Sequence, residues 1–335
     1  MNTLFRLASL SAIAALGFAA TGVSSTHAKE MFEGKTIRVL IGYAAGGGYD
    51  RYGRQVARHI GKHLPGKPNV VAVNMPGAGG LKVVNYLYNI APKDGSNFGI
   101  FARGAALFAF SHGAKVVRFN PLKLNWIGSS SSYKGEAYLL AVRKETGMKS
   151  FKDLQKSGKE LNFAATGAGS DGHDIPLVLR SVLNINAQVI RGYPGGNTLY
   201  LAVDRGEMDA RMVGYSSVKT ARPGWLKKDT PVRFLMQFAT KTRLPEFPNV
   251  PTAQELVNNE DDRALISMLE TPFFMARPFA APPGMAADRV KILRDAFMAT
   301  HSDPAYKKEA KKLRLLVSAA SGEEVQELVK KLRLV

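Results

Sequence analysis

The residues best placed to do chemistry in this sequence are glycines. Four glycine-rich segments stand out: Gly42-Tyr43-Ala44-Ala45-Gly46-Gly47-Gly48-Tyr49-Asp50, Met75-Pro76-Gly77-Ala78-Gly79-Gly80, Thr166-Gly167-Ala168-Gly169-Ser170-Asp171-Gly172, and Gly192-Tyr193-Pro194-Gly195-Gly196-Asn197. Each follows a strand-like run and precedes a helical one. In open α/β sheets, ligands settle outside the carboxyl ends of strands. Glycines there let backbone N–H groups come close, and helix N-termini add unsatisfied donors with partial positive charge. A single loop of this kind reads as a tight turn. Four in register point to an anion site, with two loops per lobe facing across a cleft and holding carboxylate oxygens without any arginine.

Other chemistries fit the residues less well. Ala45-Gly46-Gly47-Gly48 does not meet the G-x-G-x-x-G spacing of dinucleotide sites, and no G-x-x-x-x-G-K-[ST] occurs. Ser170, Asp171 and His173 suggest a hydrolase. However, Ala168-Gly169-Ser170-Asp171-Gly172 lacks the first glycine of G-x-S-x-G, and no triad partner is evident, so these residues read as polar lining. His59 and His63 are four apart on one helix without the Glu of H-E-x-x-H, which reads as a basic solvated face and assigns no metal. Asp50, at the start of its helix, either caps it or accepts from a ligand. No cofactor and no catalytic residue is expected, and the chain reads as a binder rather than an enzyme.

These loops need elements to position them, and the pattern supplies α/β units. Strands are predicted at 35–41, 69–74 and 98–102, with helices at 49–64 and 81–90 between them. The alternation restarts with strands at 138–142, 161–165, 187–190 and 232–238, and helices at 150–157, 175–183 and 198–206. Ser150 and Asp153 fit a capping box. Residues 271–281 read as apolar and extended, followed by helices at 288–300, 304–313 and 322–332. The last segment is too strand-poor for a third domain and is best spent returning to the first sheet. Lobe 1 is therefore expected at 29–127 and 252–335, and lobe 2 at 128–251.

Composition bounds the setting. Residues 1–28 read as a secretory signal peptide, with Arg6 ahead of the apolar run 7–23 and Thr26-His27-Ala28 as the cleavage site. The chain has no cysteine, so neither a disulfide framework nor a lipid-bearing cysteine is available. The formal net charge of +19 is scattered rather than blocked, which biases weakly toward anionic ligands and away from nucleic acid. The densest basic runs, Lys307-Lys308 with Lys311-Lys312 and Arg314, and Lys330-Lys331 with Arg333, fall on helical patterns as solvated faces.

The first two glycine loops, with Pro92-Lys93-Asp94-Gly95 and Pro248-Asn249-Val250-Pro251-Thr252, resemble the receptor component of tripartite tricarboxylate transporters, the Bug-type periplasmic solute-binding proteins. The resemblance covers nearly the whole chain after residue 28. It implies a two-lobed Venus-flytrap fold, each lobe an open, mostly parallel sheet flanked by helices. It also implies a periplasmic protein that captures a small organic carboxylate and delivers it to integral-membrane permease subunits; a monomer is expected. A carboxylate sensor docking to a membrane signalling partner is the alternative, because one fold serves both. The contacts implied by position are Tyr43, Gly47, Gly48, Asp50, Gly77, Ala78, Gly79, Thr166, Ser170, Asp171 and Tyr193. The sequence departs from the family at Tyr43-Ala44-Ala45, at Tyr49 and at Arg103. Arg103 reads either as a further, bidentate carboxylate partner or as a surface ion-pair residue.

Overall fold

The computed structural model describes residues 31–111, 117–133 and 136–333; the expected signal segment lies outside them. The first sheet begins as expected. β1 (Thr36–Ile41), β2 (Asn69–Asn74) and β3 (Asn97–Ile100) pair in parallel, joined by α1 (Gly48–Ile60) and α2 (Leu81–Asn89). α1 is helical because Tyr52, Val56 and Ile60 recur on one face and are buried against the sheet. β1 lies between β2 and β3, so successive crossovers leave it in opposite directions. A crevice opens at such a switch point, above the carboxyl ends of the two diverging strands.

The sheet is completed by strands from elsewhere in the chain. β4 (Asn125–Ser129), β10 (Pro278–Ala281) and β11 (Ala320–Ser321) give the order β11-β4-β10-β3-β1-β2. β10 runs antiparallel to both β3 and β4, and β11 antiparallel to β4. The sheet is thus mixed, where a mostly parallel one was expected. Parallel pairing needs a crossover that returns the chain to the same end. β10 instead enters from the other lobe and crosses in the opposite direction.

The second sheet has the order β7-β6-β8-β5-β9, from β5 (Tyr138–Arg143), β6 (Leu161–Ala164), β7 (Ala187–Ile190), β8 (Ala210–Gly214) and β9 (Val232–Phe238). It too is mixed: β6 pairs in parallel with β7 and β8, while β5 is antiparallel to β8 and β9. The predicted capping box of α3 (Phe151–Ser157) is present, with Ser150 and Asp153 exchanging side chain-to-backbone bonds. β6 sits between β7 and β8, a second switch point, with α4 (Asp171–Val182) and α5 (Gly196–Asp204) starting at its rim.

The chain changes sheets between Ser129 and Tyr138 and again between Phe238 and Pro278. The expected boundary at 127/128 therefore falls inside β4. The second crossing is partly helical: α6 (Glu260–Glu270) packs on α4 of the second lobe, and a 3-10 turn at Thr271–Met275 precedes β10. Residues 271–281 are extended only at their end because Pro272, Phe273 and Met275 are buried in the turn itself. One apolar cluster runs through both crossings, from Leu40 and Phe101 by way of Tyr133 and Phe273 to Leu140 and Phe238. The Lys307–Arg314 and Lys330–Arg333 runs lie on helix faces with every named basic residue exposed. His59 and His63 are only partly exposed. They meet Glu309 at 2.5 Å and Asp303 at 3.0 Å on the helix Pro304–Lys312 and its cap, because α1 packs there. Among the described residues no helix is long and apolar enough to cross a membrane, and no cluster of acidic residues and histidines is arranged to hold a metal.

Candidate binding site between the two lobes

The two switch points face each other, and the four glycine loops meet in pairs. The first loop touches the fourth: the Ala44 N–H donates to the Pro194 carbonyl at 3.0 Å, and a Cβ built on Gly47 lies 3.3 Å from the Gly196 nitrogen. The second touches the third: a Cβ on Gly167 would lie 2.6 Å from the Gly79 nitrogen. The lobes are therefore closed on one another, backbone against backbone. Gly79, at φ 64°, and Ala78, at φ 48°, turn the second loop toward its partner in the left-handed region.

Between the lobes lies a partly open cavity of about 70 Å³. Of the residues expected at a site, Tyr43, Gly47, Gly48, Arg103, Thr166, Ser170 and Asp171 line it. Gly77, Ala78, Gly79 and Tyr193 line a neighbouring space of about 210 Å³, which shares Tyr43 and Thr166 with the first. Asp50 lines neither. Its carboxylate accepts from the Gly46 N–H at 2.8 Å, Arg54 at 2.9 Å and Asn74 at 2.7 Å, so it pins the first loop from behind. Ser170 donates to the Gly167 carbonyl at 2.6 Å, and His173 Nδ1 pairs with Asp174 at 2.6 Å; both are engaged away from hydrolase chemistry.

Side chains, not loop amides alone, dominate the lining. Arg103 follows β3 and is buried, which excludes the surface ion-pair reading. Its guanidinium lies 4.4 Å from the centre of Phe273, 4.9 Å from Tyr133 and 5.3 Å from Tyr138, the aromatic cluster at the lobe crossings. Its Nε stands 3.5 Å from Asp171 Oδ2, an ion pair spanning the cleft. Tyr43 and Tyr49 stack at 4.6 Å, and the Tyr49 hydroxyl accepts from the Arg103 backbone N–H at 3.1 Å.

Two further arginines were not anticipated. Arg277, just before β10, covers Tyr49 at 4.7 Å; Arg211, within β8, covers Tyr200 at 4.1 Å and donates to the Gly196 carbonyl at 3.1 Å. Both are buried and line the cavity, together with Tyr138 and Ser217. Where loop amides without any arginine were expected at the site, Arg103, Arg211 and Arg277 all border this cavity. A signal existed in the sequence. Each is a lone charge inside an apolar run, Ala210-Arg211-Met212-Val213 and Met275-Ala276-Arg277-Pro278-Phe279, and such a charge is buried only where something pairs with it.

Burial disfavours the charge on Arg103, but Asp171 and the surrounding tyrosines more than offset it and hold its pKa well above the ordinary value. Burial raises the Asp171 carboxyl above the usual range, against the pull of Arg103 and Arg277. Burial lowers Arg211, yet a guanidinium stays protonated in proteins. The site is a positively charged, aromatic-walled cleft between two lobes in contact. No nucleophile paired with a base lines it among the described residues.

No protein-family model matches the chain. Among curated proteins it is similar to the "UPF0065 protein in gbd 5′region" of Cupriavidus necator, a Bug-family protein, at 27% identity over 309 residues, 90% of this chain and 84% of that one. Among solved structures it superposes on malate-bound MatC of Rhodopseudomonas palustris with a TM-score of 0.67 at 21% identity, over 89% of this chain and 97% of that one. The periplasmic binding protein BugD gives 0.68 at 18% identity, over 89% and 94%. An adipate-bound R. palustris protein gives 0.67 at 18%, again over 89% and 94%. At these identities the likeness is one of fold: two lobes, two sheets flanked by helices, shared with Bug- and TctC-type periplasmic binding proteins. These neighbours are binding or transport proteins, not enzymes.

Proposed function

From a fold held in common with the Bug- and TctC-type periplasmic binding proteins, we propose that this chain is a periplasmic solute-binding protein. It captures a small organic carboxylate and presents it to the integral-membrane subunits of a tripartite tricarboxylate-type transporter. The observation that carries this reading is the cleft between the touching lobes, where loops from both switch points converge on a cavity bordered by Arg103, Arg211 and Arg277. The malate and adipate held by two of its structural neighbours support the carboxylate class. Ligand contacts to both lobes would bias a hinged pair toward the closed form, giving a permease one surface to recognise. Residues 31–111, 117–129 and 278–333 would move as one body and 138–270 as the other. The exported form would begin at Lys29 and act as a monomer.

Thermal denaturation with a panel of mono-, di- and tricarboxylates tests this. A ligand at 100 times its dissociation constant adds about 2.7 kcal/mol to the folded state, a shift readily seen in Tm. If no organic acid moves the transition while a sugar or an amine does, the carboxylate reading is wrong.

A further inference from the structure

A groove of about 480 Å³ lies on the outer side of the fourth glycine loop and shares no lining residue with the arginine-bordered cavity. Its apolar lining is Ile190, Pro194, Leu201 and Ala202, and Arg191 and Arg205 are exposed beside them. We infer that this groove docks an extended, acidic segment of the transporter's integral-membrane subunits, and that it registers whether the lobes have met. The inference rests on the transport reading above and adds to it a surface and the chemistry of what fits there.

Thr198, Leu201, Ala202 and Arg205 recur at the i, i+3, i+4, i+7 spacing of one helix face, so α5 and its C-terminal residue present a continuous wall to the groove. Leu201 is 39% exposed there, an apolar contact left for a partner to cover. The arginines set the sign of that partner. Arg58, Arg222, Arg243 and Arg294 each meet a carboxylate at 2.6–2.9 Å. Arg191 and Arg205 meet none among the described residues, and Glu207 is the one carboxylate lining the groove. The groove thus keeps a positive charge that acidic side chains complement. The backbone sets the shape. β7 is the outer strand of the second sheet and pairs with β6 alone; its free edge runs into the groove at Ile190, and a free edge accepts an added strand. Gly192, Tyr193 and Pro194 link the groove to closure, because the same three residues line the space of about 210 Å³ between the lobes. The Pro194 carbonyl accepts from the Ala44 N–H of the first lobe at 3.0 Å. Opening the lobes breaks that bond and frees one wall of the groove.

The test separates binding from delivery. A strain lacking this chain is complemented with wild type, with the double variant Arg191→Glu/Arg205→Glu, or with Lys227→Glu/Lys228→Glu, an equal charge change at exposed residues outside the groove. Uptake of the best acid of the panel is measured beside calorimetric affinity of each purified chain. The groove variant is expected to lose tenfold or more of the uptake rate while its affinity stays within threefold of wild type and the control keeps both. Unchanged uptake overturns the inference and leaves the transport reading intact, as does an equal loss in the control, which would make the effect one of net charge. Affinity lost together with uptake also overturns it, placing the groove in the ligand site. If wild type itself restores no uptake, the transport reading fails and takes the inference with it. Closure is read separately. The chain has no cysteine, so Leu201→Cys carries a single thiol-reactive, environment-sensitive dye; its emission should shift when the acid binds, and a silent dye overturns the link between groove and closure.

Discussion

Replacing Gly167 by Ala isolates lobe closure from folding. A Cβ at this position would stand 2.6 Å from the Gly79 nitrogen and 2.9 Å from the Ala78 carbonyl carbon. These are backbone atoms of the opposite lobe, so no side-chain rotamer relieves the clash. Gly167 itself does not use the left-handed region, so alanine fits its own loop without strain. Gly79, at φ 64°, would suffer both effects and is the poorer probe. Overpacking of one methyl costs about 1–3 kcal/mol, here charged to the closed form. At ~1.4 kcal/mol per factor of ten, affinity should fall roughly 5- to 150-fold. The melting temperature of the unliganded protein should stay close to wild type, because the open form relieves the clash. The assay is calorimetric titration with the best acid of the panel, beside small-angle scattering for the compaction that ligand induces. Gly224→Ala, where an added Cβ meets nothing within 4 Å, serves as control. Affinity within twofold of wild type would refute the reasoning, since the paired loops would then not need to touch for ligand to be held.

Burial pushes His301 down to about 4; its Nδ1 donates to the Phe297 carbonyl while Nε2 accepts from Ser130 and Tyr306. With an unfolded value near ~6.5, stability is full above that pH and falls as pH drops toward 4, by about 3 kcal/mol in the limit; urea titrations between pH 4 and 7 should show this slope, and His301→Gln should flatten it. Asp50→Ala removes the acceptor shared by Gly46, Arg54 and Asn74 and should cost about 1–3 kcal/mol of stability, read as a lower denaturation midpoint; an unchanged midpoint would show that the first loop holds itself. Amino-terminal sequencing of the exported protein should begin at Lys29, and any other start relocates the cleavage site.

The glycine loops could be found from sequence because glycine clusters between a strand signal and a helix signal have few other uses. β2, β7, β9 and the helix at 322–332 have the same ends in sequence pattern and structure, each being a continuous run bounded by turn residues. β4 and β8 escaped notice for the opposite reason. They are short, broken by Trp126-Ile127-Gly128 and by Arg211, and they are strands only because neighbours distant in sequence pair with them. Arg211 and Arg277 share that cause. A lone charge on an apolar run is neutral information until its partners are known, and those partners, Tyr200, Tyr49 and the opposite lobe, come from other segments. His59 and His63, at the end of α1 and in the 3-10 turn after it, were misjudged because Glu309 and Asp303, which cover them, lie some 240 residues away.

The first sheet is assembled from both ends of the chain, and this has a kinetic cost. β3 and β4 each need β10 as a neighbour, yet about 150 residues separate β4 from β10. Until that late segment is made, one edge of β3 and both edges of β4, whose other neighbour β11 comes later still, stand bare, and bare edges recruit foreign strands. Sheets that close through such distant pairings fold slowly. The second lobe, contiguous from β5 to β9, is free to form meanwhile, so early folding should be lopsided: a finished half tethered to a half-built, aggregation-prone one.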